Sequence, residues 1–338
     1  MISRTSSILL TGALFLAGSL FSGCTDDPIY PEKVIRVKPA NLPAIGGDAY
    51  YELWFSYPKS TADPKHPTTD HEDAAYVSIG KFRVDDVGAV TGIGGGQAVF
   101  NTPAGYNPSL FMDAILTVES TGGKDTIPGP RMLSGPFLGT TSLGRDTLTL
   151  AGSDAFGAPI LGTVGGGFIL DAPTAGDSTT ASANGIWFVR LTDPTGTIST
   201  AIPGLLLPSQ PINKENPDWT YQAWLTRTNA GSATEYIPLG HFDISTAADS
   251  TGAGPGAGPF PGRIYPSPGE DFVTGTPRTL NDGTYGVIVS AEPTTISLGR
   301  PLLPMVRLDR IPTGVSPRTT LIATTPTAYP RIEVELDR

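Results

Sequence analysis

The sequence predicts an all-β protein made of two tandem antiparallel β-sandwich domains, related by internal duplication and carrying long loops. Three observations predict this fold class: short runs rich in β-branched and apolar residues, turns dense in glycine and proline, and landmarks that recur in the same order in both halves. The 338 residues include 41 glycines and 33 prolines, which indicates many turns between short strands. Strand spacing leaves a β-barrel in each half as the alternative.

The composition argues against one class of function. Lysine and arginine together number 22, against 32 aspartates and glutamates, so the formal net charge is −10. A negative surface repels the phosphate backbone of nucleic acids. Nucleic acid is therefore not an expected partner.

Residues 1–23 indicate an export signal. Arg4 supplies a basic start, and the apolar stretch 8–21 is too short, and too rich in small residues at its end, for a stable membrane span. The stretch closes on Leu20-Phe21-Ser22-Gly23-Cys24, which resembles a bacterial lipoprotein signal, where small residues precede a cysteine that becomes acylated. We therefore expect Cys24 to be lipidated and to become the mature N-terminus.

Cys24 is the only cysteine in the chain, so an intramolecular disulfide is excluded. No later segment approaches 18 uninterrupted apolar residues, and the lipid is thus the expected membrane attachment. Thr25 follows the cysteine, as in lipoproteins sorted to the outer membrane. The predicted location is the cell envelope, on the periplasmic or the surface face of that membrane, with residues 24–32 as a tether.

The two halves share four landmarks in the same order, which predicts an internal duplication. Spacing between the landmarks differs, and the surplus residues fall in loops, where length changes cost little. The matched pairs are Tyr51-Glu52-Leu53-Trp54 with Tyr221-Gln222-Ala223-Trp224, residues 76–82 with 236–242, residues 114–119 with 287–292, and residues 168–175 with 321–328.

The small polar stretch 176–184 is typical of a linker, and we place the domains at 33–178 and 183–338 on either side. Residues 332–336 alternate apolar and charged side chains, which predicts a final strand. That strand could complete the second domain or pair with an edge strand of another chain.

At these landmarks the sequence resembles the extracytoplasmic C-terminal domain of regulator-of-sigma-K-type anti-sigma factors. The resemblance implies a fold rather than a catalytic activity, and some lipoproteins carry this domain in tandem behind a lipid. We do not expect the sigma-binding segment and membrane-spanning helix that anti-sigma activity would need. The matching motifs are Tyr51-x-x-Trp54, Val77-Ser78-Ile79-Gly80-Lys81-Phe82, Val118-Glu119-Ser120-Thr121-Gly122-Gly123 and Pro128-Gly129-Pro130-Arg131-Met132-Leu133.

The best cluster of metal-ligating side chains contains Asp70, His71, Glu72 and Asp73. It could bind zinc or calcium in principle, but its spacing matches no closed zinc pattern and no cysteine is near. A solvated acidic loop is the favoured interpretation, so we expect no metal and no cofactor.

Two carboxylate pairs, Asp85-Asp86 and Glu270-Asp271, could hold calcium or form a glycosidase-like acid pair. Turn carboxylates that cap backbone groups are the favoured interpretation. The glycine-rich stretches lack the residues of a nucleotide site, and no serine-hydrolase or zinc-protease motif occurs. We therefore do not expect an enzyme.

The aromatic residues carry the one hint of binding. Trp54 and Trp224 occupy matching strand positions and are predicted core residues. Trp219 and Tyr265 lie in loop-like contexts and could stack on a sugar ring.

The resulting prediction is a non-enzymatic envelope lipoprotein that presents two β-sandwich domains for binding or structural roles. One alternative is a surface lipoprotein that binds a glycan or another ligand. The other is an extracytoplasmic sensor partner of an anti-sigma system. The predicted partners are the membrane, through the N-terminal lipid, and an envelope protein or polysaccharide.

Overall fold

The computed structural model describes residues 30–58, 74–122, 128–137, 145–151, 164–173, 182–193, 201–207, 219–228, 233–246, 249, 267–273, 277–326 and 328–337. Over these residues the protein is an antiparallel all-β structure, which confirms the predicted fold class. One 3-10 turn, Pro108–Leu110, is capped by the side chain of Asn107. The strands are β1 (Ile35–Ala40), β2 (Ala49–Pro58), β3 (Ala74–Val84), β4 (Val90–Gly92), β5 (Asp113–Ser120), β6 (Arg131–Pro136), β7 (Arg145–Ala151), β8 (Gly166–Leu170), β9 (Gly185–Trp187), β10 (Val189–Leu191), β11 (Ala201–Pro203), β12 (Trp219–Arg227), β13 (Glu235–Phe242), β14 (Gly269–Asp271), β15 (Tyr285–Pro293), β16 (Leu303–Leu308), β17 (Leu321–Ala323) and β18 (Arg331–Asp337).

The largest sheet has eight strands in the order β1-β18-β7-β6-β5-β2-β3-β4. Strand β2 pairs with β3 and β5 and is buried on both faces. Because successive side chains on a strand point to opposite faces, Tyr51, Leu53 and Phe55 enter the aromatic core while Glu52 and Trp54 lie on the other face. The near-continuous apolar run of β2 follows from this double burial.

Two four-stranded sheets and one hairpin make up the rest of the described chain. The first sheet has the order β13-β12-β15-β16, with β12 and β15 at its centre, and the second has the order β14-β9-β8-β17. Strands β10 and β11 form the hairpin. The eight-stranded sheet and the two four-stranded sheets share one continuous apolar cluster. Phe55 and Val334 belong to it from the large sheet, Val289 from the first four-stranded sheet and Phe168 from the second.

The predicted boundary at 176–184 does not divide the sheets. Strand β8 lies before that boundary, yet it pairs with β9 and β17, which lie after it. The final strand, β18, comes from the second half but joins the sheet of the first half. It lies between β1 and β7, with Val37 opposite Val334. The last strand therefore completes the sheet of the first half, which neither predicted use of residues 332–336 anticipated.

Candidate functional site

The two halves contain four-stranded units with the same construction, β3-β2-β5-β6 and β13-β12-β15-β16. In each, the register between the first two strands shifts immediately before the tryptophan, at Leu53/Trp54 and at Ala223/Trp224. A second shift precedes a hydroxyl-bearing residue, Thr117 in one unit and Ser290 in the other. β-Bulges re-aim side chains, and here they set the same polar groups side by side in both units.

In the first unit, Nε1 of Trp54 donates a hydrogen bond to Oγ1 of Thr117 over 3.0 Å. The Thr117 hydroxyl donates in turn to Oε1 of Glu119 over 2.5 Å. The same carboxylate oxygen accepts the backbone N–H of Gly129 at 2.7 Å. A Cβ at Gly129 would lie 2.6 Å from the other oxygen of Glu119, so a side chain there would displace the Glu119 carboxylate.

The second unit repeats the arrangement with different residues. Nε1 of Trp224 donates to Oγ of Ser290 over 2.8 Å, and that hydroxyl donates to Oε1 of Glu292. The backbone N–H of Leu302 completes the set at 2.8 Å. Burial raises the pKa of Glu292 to about 8, because the charged form loses its hydration.

We call these two arrangements the indole–carboxylate relays. Both lie on the sheet face opposite to the aromatic core, and Glu119 and Glu292 are nearly inaccessible to solvent. Each carboxylate binds the segment that leads into the next strand, β6 or β16. Their contacts are those of a buried structural clasp, because Oε1 of each glutamate accepts hydrogen bonds from a side-chain hydroxyl and from a backbone N–H of the same protein.

The two units differ at the cross-strand pair two residues before each tryptophan, Glu52 with Lys81 in the first unit. Glu52 accepts a 2.5 Å hydrogen bond from Ser78, and Nζ of Lys81 lies 3.8 Å from its carboxylate. The register places Gln222 and His241 at the matching sites of the second unit. Burial lowers the pKa of His241, so a charged pair in one unit corresponds to a pair that favours the neutral state in the other.

A second polar cluster surrounds β14. Nε1 of Trp187 donates to Oδ1 of Asp271 over 3.0 Å, and the backbone N–H of Gly269 donates to Oδ2 of Asp249 over 3.3 Å. Burial, followed by the charge of Asp249, raises the pKa of Glu270 to about 7. Since Glu270 and Asp271 are adjacent on one strand, their side chains point to opposite faces, which is unsuitable for a facing acid pair. They also lie on a strand rather than in the turn that the sequence favoured.

The other predicted carboxylate pair lies in a turn, as expected. Oδ1 of Asp85 accepts the backbone N–H groups of Val87 and Ala89 at 3.0 and 2.8 Å, which confirms its capping role. Asp86 instead forms a 2.8 Å ion pair with Arg300, far away in the sequence.

A buried ion pair that no sequence pattern predicted joins the two halves. Nε of Arg318 lies 3.0 Å from Oδ2 of Asp171, whose side chain is fully buried. The backbone N–H of Arg318 also donates to the carbonyl of Leu170 over 2.8 Å. The two residues are 147 positions apart. Asp171 falls within the matched stretch 168–175, but that match gives no indication of Arg318 as its partner.

Apart from the two carboxylate pairs, Trp219 alone of the predicted site residues lies within the described part of the chain. Cys24, Asp70, His71, Glu72, Asp73 and Tyr265 lie outside the described residues. Trp219 is the first residue of β12 and only 3% exposed, so the loop-like setting predicted for it is wrong and its ring face is not open to a sugar. Trp54 and Trp224 are buried, as predicted, but on the sheet face opposite to the aromatic core.

The surface also carries a shallow cavity of about 610 Å³ beside β16. Arg307, Asp309, Arg310 and Thr324 contribute its polar lining. Nε of Arg307 donates to Oδ1 of Asp309 over 2.6 Å, which leaves a mixed-charge surface. In the part of the chain that the structure describes, no group of three or more histidine, cysteine or acidic side chains could hold a metal ion.

No protein-family model, curated protein or solved structure matches the chain. Among the described residues, no helix has the length and apolar character needed to cross a membrane.

Proposed function

We propose that the protein is a non-enzymatic lipoprotein of the cell envelope, anchored to the outer membrane by a lipid on Cys24, and that its β-sheets serve binding or structural roles. The main support for a non-enzymatic role is that three buried acidic side chains are hydrogen-bonded within the protein itself. They are Glu119, Glu292 and Asp271. A catalytic acid or base must reach its substrate. Acidic side chains that are buried and hydrogen-bonded inside the fold favour a structural role for these groups over a catalytic one.

The envelope location rests on the sequence before the described residues. A basic start, a short apolar stretch and Ser22-Gly23-Cys24 favour export and acylation. We further propose that the matched four-stranded units arose by internal duplication, and that they are related at the level of fold to the extracytoplasmic domains of regulator-of-sigma-K-type anti-sigma factors. The shared indole–carboxylate relays support the duplication.

The deciding experiment is the mass and membrane partitioning of the wild-type chain and of Cys24→Ser, both expressed in a bacterium. The proposal expects acyl mass on the wild-type N-terminus, recovery in the outer-membrane fraction, and an uncleaved or released Cys24→Ser protein. A wild-type protein with a free thiol and no membrane association would overturn it.

A role in binding a glycan or another ligand is the second candidate, and the mixed-charge cavity beside β16 favours it. Guanidinium groups such as that of exposed Arg310 form directional hydrogen bonds to carboxylates and hydroxyls. Affinity gels containing acidic or neutral polysaccharides would then retard the protein, and Arg310→Ala would reduce the retardation. Equal mobility in gels with and without polysaccharide would count against this role.

A further inference from the structure

Two valines are exposed near the start of β1, at one end of the eight-stranded sheet. Val34 forms an antiparallel bridge with Asn101, and the backbone N–H of Ile35 donates to the carbonyl of Phe100 over 2.8 Å. Ile35 and Phe100 point into the core, whereas Val34 and Val99 are 70% and 65% exposed. Because bridged partners and alternate residues share a face, both valines project from the same side. We call this the Val34–Val99 edge.

Beyond the two valines, the same face of β1 carries charged side chains. Farther along the same face, β1 carries Arg36 and then Lys38, whose Nζ lies 2.9 Å from Glu333 and 2.6 Å from Glu335. The Arg36 side chain is 53% exposed. Arg36 and Lys38 are thus paired with Glu333 and Glu335, and the two exposed valines are the part of this face suited to the apolar side of a lipid interface.

The few residues between Cys24 and Tyr30 limit how far this edge can lie from a lipid on Cys24. The described chain starts at Tyr30, whose carbonyl accepts the backbone N–H of Gly105 over 2.8 Å and so is held to the fold. Tyr30 follows Cys24 by six residues, and six residues span at most about 20 Å even when fully extended. A lipid on Cys24 would therefore hold this end of the sheet beside the bilayer.

We infer that the Val34–Val99 edge rests on the lipid surface, with both valines at the boundary between headgroups and acyl chains. This inference depends on the proposed lipid anchor. It adds an orientation: the sheet stands on the membrane through one defined edge instead of swinging freely on the tether.

The test places a single fluorophore on the edge of the full-length protein. In the lipidated chain the thiol of Cys24 is consumed by acylation, so Val99→Cys supplies one free thiol for an environment-sensitive dye. Ile322→Cys on β17 is the matched control, because Ile322 is a comparably exposed apolar residue, at 59%. Both proteins are reconstituted into phosphatidylethanolamine and phosphatidylglycerol vesicles, with or without spin-labelled lipid, after their acyl mass has been measured.

The expected result is a blue shift and strong quenching by spin-labelled lipid at position 99, with neither effect at position 322. Val34→Cys should repeat the result for position 99, which guards against a local defect in one variant. Acylated protein whose label at position 99 stays in water, as at position 322, would overturn the orientation while leaving the anchor intact. Absence of acyl mass would overturn the anchor, and the orientation with it.

Discussion

Trp54 and Trp224 make the same hydrogen bond, each donating through Nε1 to a hydroxyl on the neighbouring strand. The hydroxyl donates a hydrogen bond to a buried glutamate. The glutamate also accepts a backbone N–H from the segment just before the following strand. The relay links three strands through one chain of donors and acceptors. Each hydroxyl is therefore predicted to matter more for stability than its size suggests.

Removing either hydroxyl tests the indole–carboxylate relays directly. Thr117→Val and Ser290→Ala each leave a buried indole N–H and a carboxylate without their shared partner, so each should lower the free energy of unfolding by about 1–3 kcal/mol. Urea denaturation followed by fluorescence measures the change. Thr228→Val, on the surface, is the control and should stay within about 0.5 kcal/mol of wild type. Equal stability of all three variants would contradict a structural role for the relays.

The raised pKa of Glu292 predicts a pH-dependent stability. Between its ordinary pKa of 4.5 and the value of about 8 in the folded protein, the folded state binds the proton that the unfolded state releases. The free energy of unfolding should therefore fall as pH rises from about 5 to 8. Glu292→Gln should reduce this slope and leave the part due to Glu270, whose pKa is also raised, whereas Glu235→Gln, at an exposed position, should leave the slope as in wild type. The same slope in all three proteins would show that Glu292 does not titrate in this range.

The buried pair of Asp171 and Arg318 should be much more sensitive than the surface pairs. Arg318→Ala strands a fully buried carboxylate and should cost about 3–5 kcal/mol. Asp86→Ala removes an ion pair whose carboxylate is mostly exposed, and should cost no more than about 1 kcal/mol. Thermal unfolding of both variants, together with Asp171→Ala and the double variant, gives the coupling energy. A coupling near zero would contradict the pairing.

The position of β18 predicts that a change near the C-terminus weakens the first half. Ile332 is fully buried between β1 and β7, so Ile332→Ala should cost about 2–5 kcal/mol. Ile322→Ala, at an exposed site ten positions earlier, is the control and should change stability by less than about 0.5 kcal/mol. Hydrogen exchange should show faster exchange at β1 and β7 in Ile332→Ala, and loss of protection restricted to the second half would contradict the topology.

Gly185 is predicted to tolerate no side chain. A Cβ there would lie 2.1 Å from the carbonyl oxygen of Asp171 and 2.6 Å from Oδ1 of Asp271. Gly185→Ala should therefore abolish folding or separate β9 from its neighbours. At Gly94 no heavy atom lies within 4 Å of the added Cβ, so Gly94→Ala should fold normally. Circular dichroism and size-exclusion chromatography distinguish the two outcomes.

Local pattern was sufficient for the fold class and for the burial of Trp54 and Trp224. The alternation of residues 332–336 correctly predicted a strand, but its partners lie almost the whole chain away, and no local pattern specifies such a pairing. The relays left a detectable signal, because Thr117 and Glu119, like Ser290 and Glu292, are two residues apart and must share a strand face.

Other features left no signal in the sequence. Asp171 and Arg318 meet only because β8, β9 and β17 share a sheet, and that sheet combines segments from both sides of the predicted boundary. Trp219 was misassigned because the adjacent proline and aspartate suggested a loop, whereas tertiary pairing with β15 begins at that residue. In each case, pairing with strands distant in the sequence determined the structure, and local residue preferences did not.

The placement of the final strand has a consequence for biogenesis. Lys38 in the first strand and Glu333 in the last meet across 295 positions, so the earliest-made strand waits for the end of synthesis to find its neighbour. Until then, β1 and β7 both present unpaired backbone edges, the kind of surface on which nascent chains associate wrongly. Non-local pairing of this kind is slow. A growing chain therefore needs shielding until its C-terminus arrives, and premature termination would damage the part of the protein that was made first.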